Sequence, residues 1–600
     1  MKNIFCFLKK AIVLNSLLLL VTSCKNENTY ESRQAFIQLE KHYKACLDKS
    51  SLAFDKMDKA SSIIEFKMLY KEAKKNFKLA EPILAFIDES NYKAINQPNI
   101  IKVAEEDATN IRISNPFGFQ VLEEQIYNAK PDYEKIKKEA KLTSGRLKLL
   151  KNNSSLSQLD HHHILWIIRD ALNRVALKGI TGFDSTAAFT SLEDSKTVYE
   201  SLKKILFLFE ASFTDKRLFQ NWMIEIEESQ KALQTDFNSF DRYTFIKNHT
   251  HSTLILWNKT VTDWKVQFKI QQAFQYDIVS LFDKKTFNIK HFTDQDDPTN
   301  LDKIALGKQL FNDKNLSENK TISCASCHKA ELAFTDGKTK SPGTKRNSPT
   351  LLYAGLQKGF FYDNRTGGLE GQIVDVITNP NEFHSSLDEI VHYVKKSSVY
   401  PTLFQKTFKQ QPTDYTIRSA IALYILSLNP FDSKFDKNIS NKENTLTQRE
   451  INGFNLFMGK AKCATCHFAP LFNGTVPGSY RESEIELIGV PNSKNKLHPK
   501  IDSDLGRYEV FKTENRKYFF KTPTLRNIAK TAPYMHNGVY TTLEEVIDFY
   551  DAGGGNGLGL QLEFQTLPFD SLNLSATEKS ELIAFLKTLT DEVQNNNARK

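Results

Sequence analysis

The chain is poor in several things, and each shortage rules something out. After residue 23 no segment reaches 18 consecutive apolar residues, so nothing later in the chain reads as a membrane-spanning helix. There is no basic arm and no nucleic-acid-binding module. The net charge of +9 is spread over 600 residues with Lys and Glu interleaved, which describes a mixed-sign solvated surface and argues against DNA or RNA as a partner. Pro and Gly are scarce from residue 27 to about 284, and strand-like alternation is weak there. What is present, 40% hydrophobic and 25% charged residues, suits a soluble globular protein of several domains.

The first residues read as an export signal rather than as fold. Lys2, Lys9 and Lys10 give a positive start, Ala11 to Val21 a short apolar run, and Thr22-Ser23 a small-residue cleavage site before Cys24. The apolar run is too short to cross about 30 Å of hydrocarbon. The ending Leu20-Val21-Thr22-Ser23-Cys24 resembles a bacterial lipoprotein signal, which implies that Cys24 is lipidated and becomes the mature N-terminus. The expected location is therefore the periplasmic side of the cell envelope, lipid-anchored at Cys24.

The body is expected to be mainly α. Apolar residues recur at three- and four-residue spacing over 32–48, 62–86, 160–177, 197–211 and 252–282, so residues 24–284 read as an all-helical domain. Within it, His161-His162-His163 invites a metal reading. A polar start to the helix that continues into Ile164-Leu165-Trp166 explains it as well, and no carboxylate or cysteine partner is evident. A linker follows over 285–300, marked by the polar stretch from Asp294 to Asn300 with Pro298. The chain then repeats itself: Gly307-Lys-Gln-Leu-Phe311 precedes one Cys pair, and Gly453-Phe-Asn-Leu-Phe457 precedes another. Thr447 and Glu450 form a capping box for the second helix. The expected units are 301–440 and 441–600.

Seven cysteines occur. Cys6 and Cys24 belong to the signal and Cys46 stands alone. The other four form Cys324-Ala-Ser-Cys327-His328 and Cys463-Ala-Thr-Cys466-His467. Two thiols at this spacing with an adjacent imidazole are what covalent attachment of a c-type haem requires. Structural zinc usually draws ligand pairs from two places, and a redox dithiol expects a thioredoxin-like βαβ setting. Two copies in an exported chain favour two haem c groups, with His328 and His467 as the proximal iron ligands.

From about residue 301 to the end the chain resembles the bacterial di-haem cytochrome c peroxidases and their relative MauG. The resemblance is carried by Leu306-Gly-Lys-Gln-Leu-Phe311, Arg346-Asn347-Ser-Pro349-Thr350, Phe361-Tyr362-Asp363-Asn364-Arg365, Leu369-Glu-Gly-Gln372, Asn379-Pro-Asn-Glu382, Lys521-Thr-Pro-Thr-Leu-Arg-Asn527 and Thr531-Ala-Pro-Tyr-Met-His-Asn-Gly538. It implies two cytochrome c-like domains, the first haem the peroxide site and the second an electron relay. It places Glu382 as the acid–base carboxylate, Gln372 as the group that orients peroxide, and Tyr362 where the family carries an inter-haem tryptophan. It also implies a calcium ion at Asn347, Thr531 and Pro533.

Residues 329–383 contain neither His nor Met, so the first haem is expected to keep an open distal position unless His384 reaches it. For the second haem, the family's distal-ligand position lies fourteen residues after His536 and falls on Tyr550, with Met535 the rival. Thr541 and Glu544 are expected to cap that helix, and Leu543, Ile547 and Tyr550 to share one of its faces. Methionine ligation raises an iron potential, whereas phenolate favours the oxidised state. Three functions follow. One is reduction of hydrogen peroxide with electrons from a small redox protein such as a cytochrome c or cupredoxin. The second is a MauG-like oxidase, and the third a pure electron carrier. Partners also include the membrane, through the Cys24 lipid, and a second copy of the chain.

Overall fold

The computed structural model describes residues 33–592 except 270 and 569. The signal and Cys24 lie outside the described residues. The N-terminal region is built on long helices: 33–56, Ile63–Ile87, Tyr133–Asn153, His161–Leu177, Ser191–Leu208, Lys216–Ala232 and His251–Asp263. Helix Ile63–Ile87 starts where it does because Ser62 and Glu65 cap it reciprocally. Its buried stripe, Phe66, Leu69, Tyr70, Ala73, Phe77 and Leu84, follows the helical period. The same helix buries two lysines, each with two acids. Lys74 meets Glu123 at 2.8 Å and Asp194 at 3.0 Å, and Lys78 meets Glu81 and Asp184 at 2.6 Å.

Two segments depart from the all-helical expectation. Lys102–Asp107 and Asn110–Ser114 pair as an antiparallel hairpin. Asp107 closes its turn by accepting from the amides of Thr109 (2.6 Å) and Asn110 (2.9 Å), and Ile111 and Ile113 supply the β-branched alternation. The helix expected over 252–282 stops at Asp263, because Lys265 takes a left-handed conformation (φ 54°) and the chain continues irregularly to residue 300. The histidine triplet does have a carboxylate beside it. Asp160 caps helix His161–Leu177 and contacts His162 and His163, while its own amide donates to His163 Nδ1 at 3.0 Å. His161 packs edge-on against Phe209 and Trp264. Helix capping and packing account for all three histidines.

The two Cys-x-x-Cys-His units share one construction. In the first, helix Leu301–Asn312 crosses helix Asp414–Leu426 at Gly307; a Cβ there would lie 1.9 Å from the Ala420 carbonyl oxygen. In the second, helix Gln448–Met458 crosses helix Ala576–Thr588 at Gly453, where a Cβ would lie 2.0 Å from the Glu581 oxygen. The repeat seen in sequence is thus a repeated helix crossing, and the glycine is what lets the backbones touch. The short helix Lys434–Ile439 works with the second unit. Its Asp436 is fully buried against Arg526 (2.8 Å), ahead of a boundary drawn at residue 440.

The N-terminal region is packed onto the second unit. Arg507 ion-pairs Glu105 of the hairpin at 2.7 Å, the Tyr243 amide donates to Asn455 Oδ1 at 3.0 Å, and Phe183 meets Phe468, next to His467, at 5.9 Å. Among the described residues no helix is long and apolar enough to cross a membrane.

Candidate active site

Both Cys-x-x-Cys-His segments close on themselves in the same way. The amide of His328 donates to the Cys324 carbonyl and that of His467 to the Cys463 carbonyl, each at 2.9 Å. This tight turn keeps each imidazole next to its cysteine pair. None of the four cysteines is in a disulfide. His328 Nδ1 donates to the Phe334 carbonyl (3.0 Å), with the Ser348 hydroxyl 3.2 Å away. His467 Nδ1 lies 3.0 Å from the Pro523 carbonyl and 3.2 Å from that of Phe472. With Nδ1 engaged, Nε2 is left free in each ring, which is how proteins prepare a histidine to bind a metal. Burial holds both imidazoles neutral: His328 is lowered, and His467 is lowered to about 4.

A cavity of about 900 Å³ lies beside the second of these segments. Cys463, Cys466, His467, Met535 and Tyr550 line it from the second unit, and Asn347, Ser348, Tyr362 and Gln372 from the first. The N-terminal region adds Lys178 and Phe183. Two thiols, a preset imidazole and a large void fit a covalently attached haem at the second motif. Ser348 carries the wall of the void to His328 of the first.

Glu382 and Gln372 lie on either side of the turn at Asn379. Gln372 is on helix Leu369–Thr378 and faces the cavity. The chain turns at Asn379, whose carbonyl accepts from the Glu382 amide (3.0 Å) and whose Nδ2 donates to Glu382 Oε2 (2.7 Å). Burial raises the Glu382 carboxyl above its ordinary range, against the Asn379 hydrogen bond and the nearby Arg365 guanidinium. Its charge is felt at the Cys324 and Cys327 thiols, which places it by the first motif. His384 does not compete for that place: its side chain is 60% exposed and pairs with Glu318 at 2.8 Å.

The Tyr362 hydroxyl donates to Asn347 Oδ1 at 2.5 Å, and its carbonyl accepts from the Lys521 amide at 2.6 Å, so it ties the two units together. Asn347 in turn donates through Nδ2 to the carbonyls of Pro533 (3.0 Å) and Met535 (2.8 Å). Asn347 and Pro533 therefore do meet, and Thr531 lines the same void. Yet the set holds no carboxylate, and the Pro533 and Met535 carbonyls are already taken by Asn347. A calcium ion at Asn347, Thr531 and Pro533 therefore rests on the family resemblance alone.

Tyr550 and Met535 both line the cavity. Helix Leu543–Asp551 carries Tyr550, but its cap is one residue later than expected. Thr542 and Glu545 form the box, because Glu545 Oε2 also takes the amide and hydroxyl of Thr541. Burial raises the Tyr550 phenol, the Cys466 and Cys463 thiols add to this, and its hydroxyl has no hydrogen-bond partner among the described residues.

Sequence reading missed three groups here. Lys521 sits inside a quoted motif with no role assigned, and Arg516 and Glu486 were not singled out. All three line the void, and burial raises Glu486 to about 7. The run Tyr518-Phe519-Phe520-Lys521, a lysine closing an aromatic stretch, was the available signal for the first.

The family model for di-haem cytochrome c peroxidase matches residues 301–444. The chain is 32% identical over 315 residues to a cytochrome-c peroxidase of Denitromonas iodatirespirans, covering 49% of this chain and 83% of that protein. It is 33% identical over 304 residues to the methylamine utilization protein MauG of Methylorubrum extorquens, covering 49% and 80%. It is 35% identical over 301 residues to the cytochrome c551 peroxidase of Nitrosomonas europaea, covering 49% and 82%. Paired thiols, preset imidazoles, a shared void and these likenesses agree: the chain belongs to the di-haem cytochrome c peroxidase and MauG family and is a peroxidase-type oxidoreductase.

Proposed function

We propose that the chain reduces hydrogen peroxide to water at the first motif, with electrons passed through the second from a small external redox protein such as a cytochrome c or cupredoxin. The observation that carries this reading is the half-buried Glu382 carboxylate held near the first Cys pair by Asn379. Cys324, Cys327 and His328 would hold one haem c, which would supply the redox iron for peroxide, and Cys463, Cys466 and His467 would hold another, which would relay electrons.

The protein's own part is proton handling and orientation. Glu382 accepts a proton from one peroxide oxygen and returns it to the other, which then leaves as water. Gln372 directs the peroxide by hydrogen bonds. Two electrons and two protons from outside balance two waters. Tyr362 lies between the units, where it can share in coupling them. In Glu382→Ala, peroxide turnover should fall by about 10²–10⁴-fold with both haems retained. Turnover unchanged by that substitution would leave electron carriage as the function.

A second reading rests on Tyr550. A phenolate ligand at the second haem favours the oxidised state, and it suits a MauG-like oxidase that draws electrons from a protein or small molecule. A purified protein that consumes peroxide but accepts electrons from no cytochrome or cupredoxin supports this oxidase. Lipid anchoring at Cys24 on the periplasmic side of the envelope belongs to the same proposal and is checked by the mass of the mature N-terminus.

A further inference from the structure

Five cations line the haem cavity without a carboxylate within 4 Å among the described residues: Lys102, which is exposed, Lys462, whose ammonium lies 6.0 Å from the centre of the Phe189 ring, and Lys178, Arg516 and Lys521. Two of the last three have other company. Arg516 Nη2 donates to the Val103 carbonyl at 2.9 Å and its guanidinium covers Phe519, while the Lys178 ammonium lies over the Phe183 ring at 4.0 Å. Lys521 has less. Its Nζ donates to Gln357 Oε1 at 2.9 Å, a neutral acceptor. Its backbone is pinned on both sides, pairing with Ile485 and donating to the Tyr362 carbonyl. Burial lowers the ammonium to about 8. A buried ammonium with one neutral partner is an expensive arrangement unless an anion arrives. The anion that the cavity is built to receive is known from its chemistry, since every haem carries two carboxylates at the edge away from its thioethers.

We propose that Lys521 is the carboxylate-binding group of this cavity and ion-pairs a propionate of the haem attached at Cys463 and Cys466. The second haem is specified because Lys521 lines the void together with those cysteines and stands two residues before Pro523, the carbonyl that holds His467 Nδ1. The pair would stand at the junction of the two units, beside Tyr362. There a positive charge stabilises the reduced haem, so Lys521 tunes the relay as well as seating it.

This inference rests on the haem reading above, and its test does not use turnover. Haem content of the holoprotein, by pyridine haemochrome, comes first; two haems per chain keep the haem reading intact whatever follows. The midpoint potential of the second haem is then measured in Lys521→Gln, Lys521→Met and Lys521→Arg by optical redox titration. The neutral variants should shift the oxidised-to-reduced ratio toward the oxidised form by about tenfold, equal to about 59 mV for one electron, with Lys521→Arg close to wild type. Should the neutral variants lose the second haem alone while Lys521→Arg keeps it, the ion pair is supported equally. Midpoints within threefold of wild type in a fully loaded neutral variant, or loss of both haems in all three variants, would overturn it.

Discussion

At Glu382, burial works against the charge that the chemistry needs. A general base must be ionised, and desolvation raises this carboxyl, so the ionised fraction falls off at a higher pH than for an exposed glutamate. The rate constant for peroxide reaction should therefore decline as pH drops, with a midpoint above the ordinary glutamate value, and Glu382→Gln should lose that acid limb. Rapid-mixing measurements across pH check both. Tyr550 and Met535 give a paired outcome. Tyr550→Met should raise the potential of the second haem, because a thioether replaces a phenolate, whereas Met535→Leu should leave it in place. The opposite pattern in a redox titration would assign the ligand to Met535.

At the scale of elements, the two crossings at Gly307 and Gly453 are the same device used twice. Each needs a residue without a Cβ, because the facing backbone oxygen occupies that space. Gly307→Ala and Gly453→Ala should each destabilise the protein by about 1–3 kcal/mol or more, since the helices must separate to admit a methyl group. Urea unfolding followed by far-UV circular dichroism reads this. The same repeat was legible in sequence as two glycine-started segments before the Cys pairs; the contact that explains the glycines was not. Element ends were less legible. The helix bearing Tyr550 is capped at Thr542 rather than Thr541, because adjacent threonines offer the same hydroxyl and only the backbone decides which becomes the cap. Hairpin Lys102–Ser114 was hidden because two short strands give too few residues for alternation to stand out.

Across the whole molecule, buried ion pairs join distant stretches of chain. Arg526 and Asp436, ninety residues apart, are both fully enclosed, with Nη1 and Nη2 each donating to a carboxylate oxygen at 2.8 and 2.9 Å. Asp436→Ala leaves a guanidinium buried without its partner and should cost about 3–5 kcal/mol, seen as a lowered unfolding midpoint in calorimetry. Arg507–Glu105 and Phe183–Phe468 do the corresponding job between the N-terminal region and the second unit. This brings the N-terminal region into the wall of the haem cavity, a position that its helical periodicity alone did not disclose.

The amino-acid sequence by itself determined the covalent chemistry and the family. Thiol spacing and the adjacent histidine are local, so Cys324, Cys327, His328, Cys463, Cys466 and His467 could be read from consecutive residues. The helical character of most of the N-terminal region was likewise local. Tertiary structure decided what depends on residues far apart in the chain: that His384 turns to solvent, that Asn347 donates to the Pro533 and Met535 carbonyls, and that Lys521 reaches the void with no acid to meet it among the described residues. Burial and partner choice are properties of the assembled interior, where desolvation sets the value of a charge, and a linear pattern records neither.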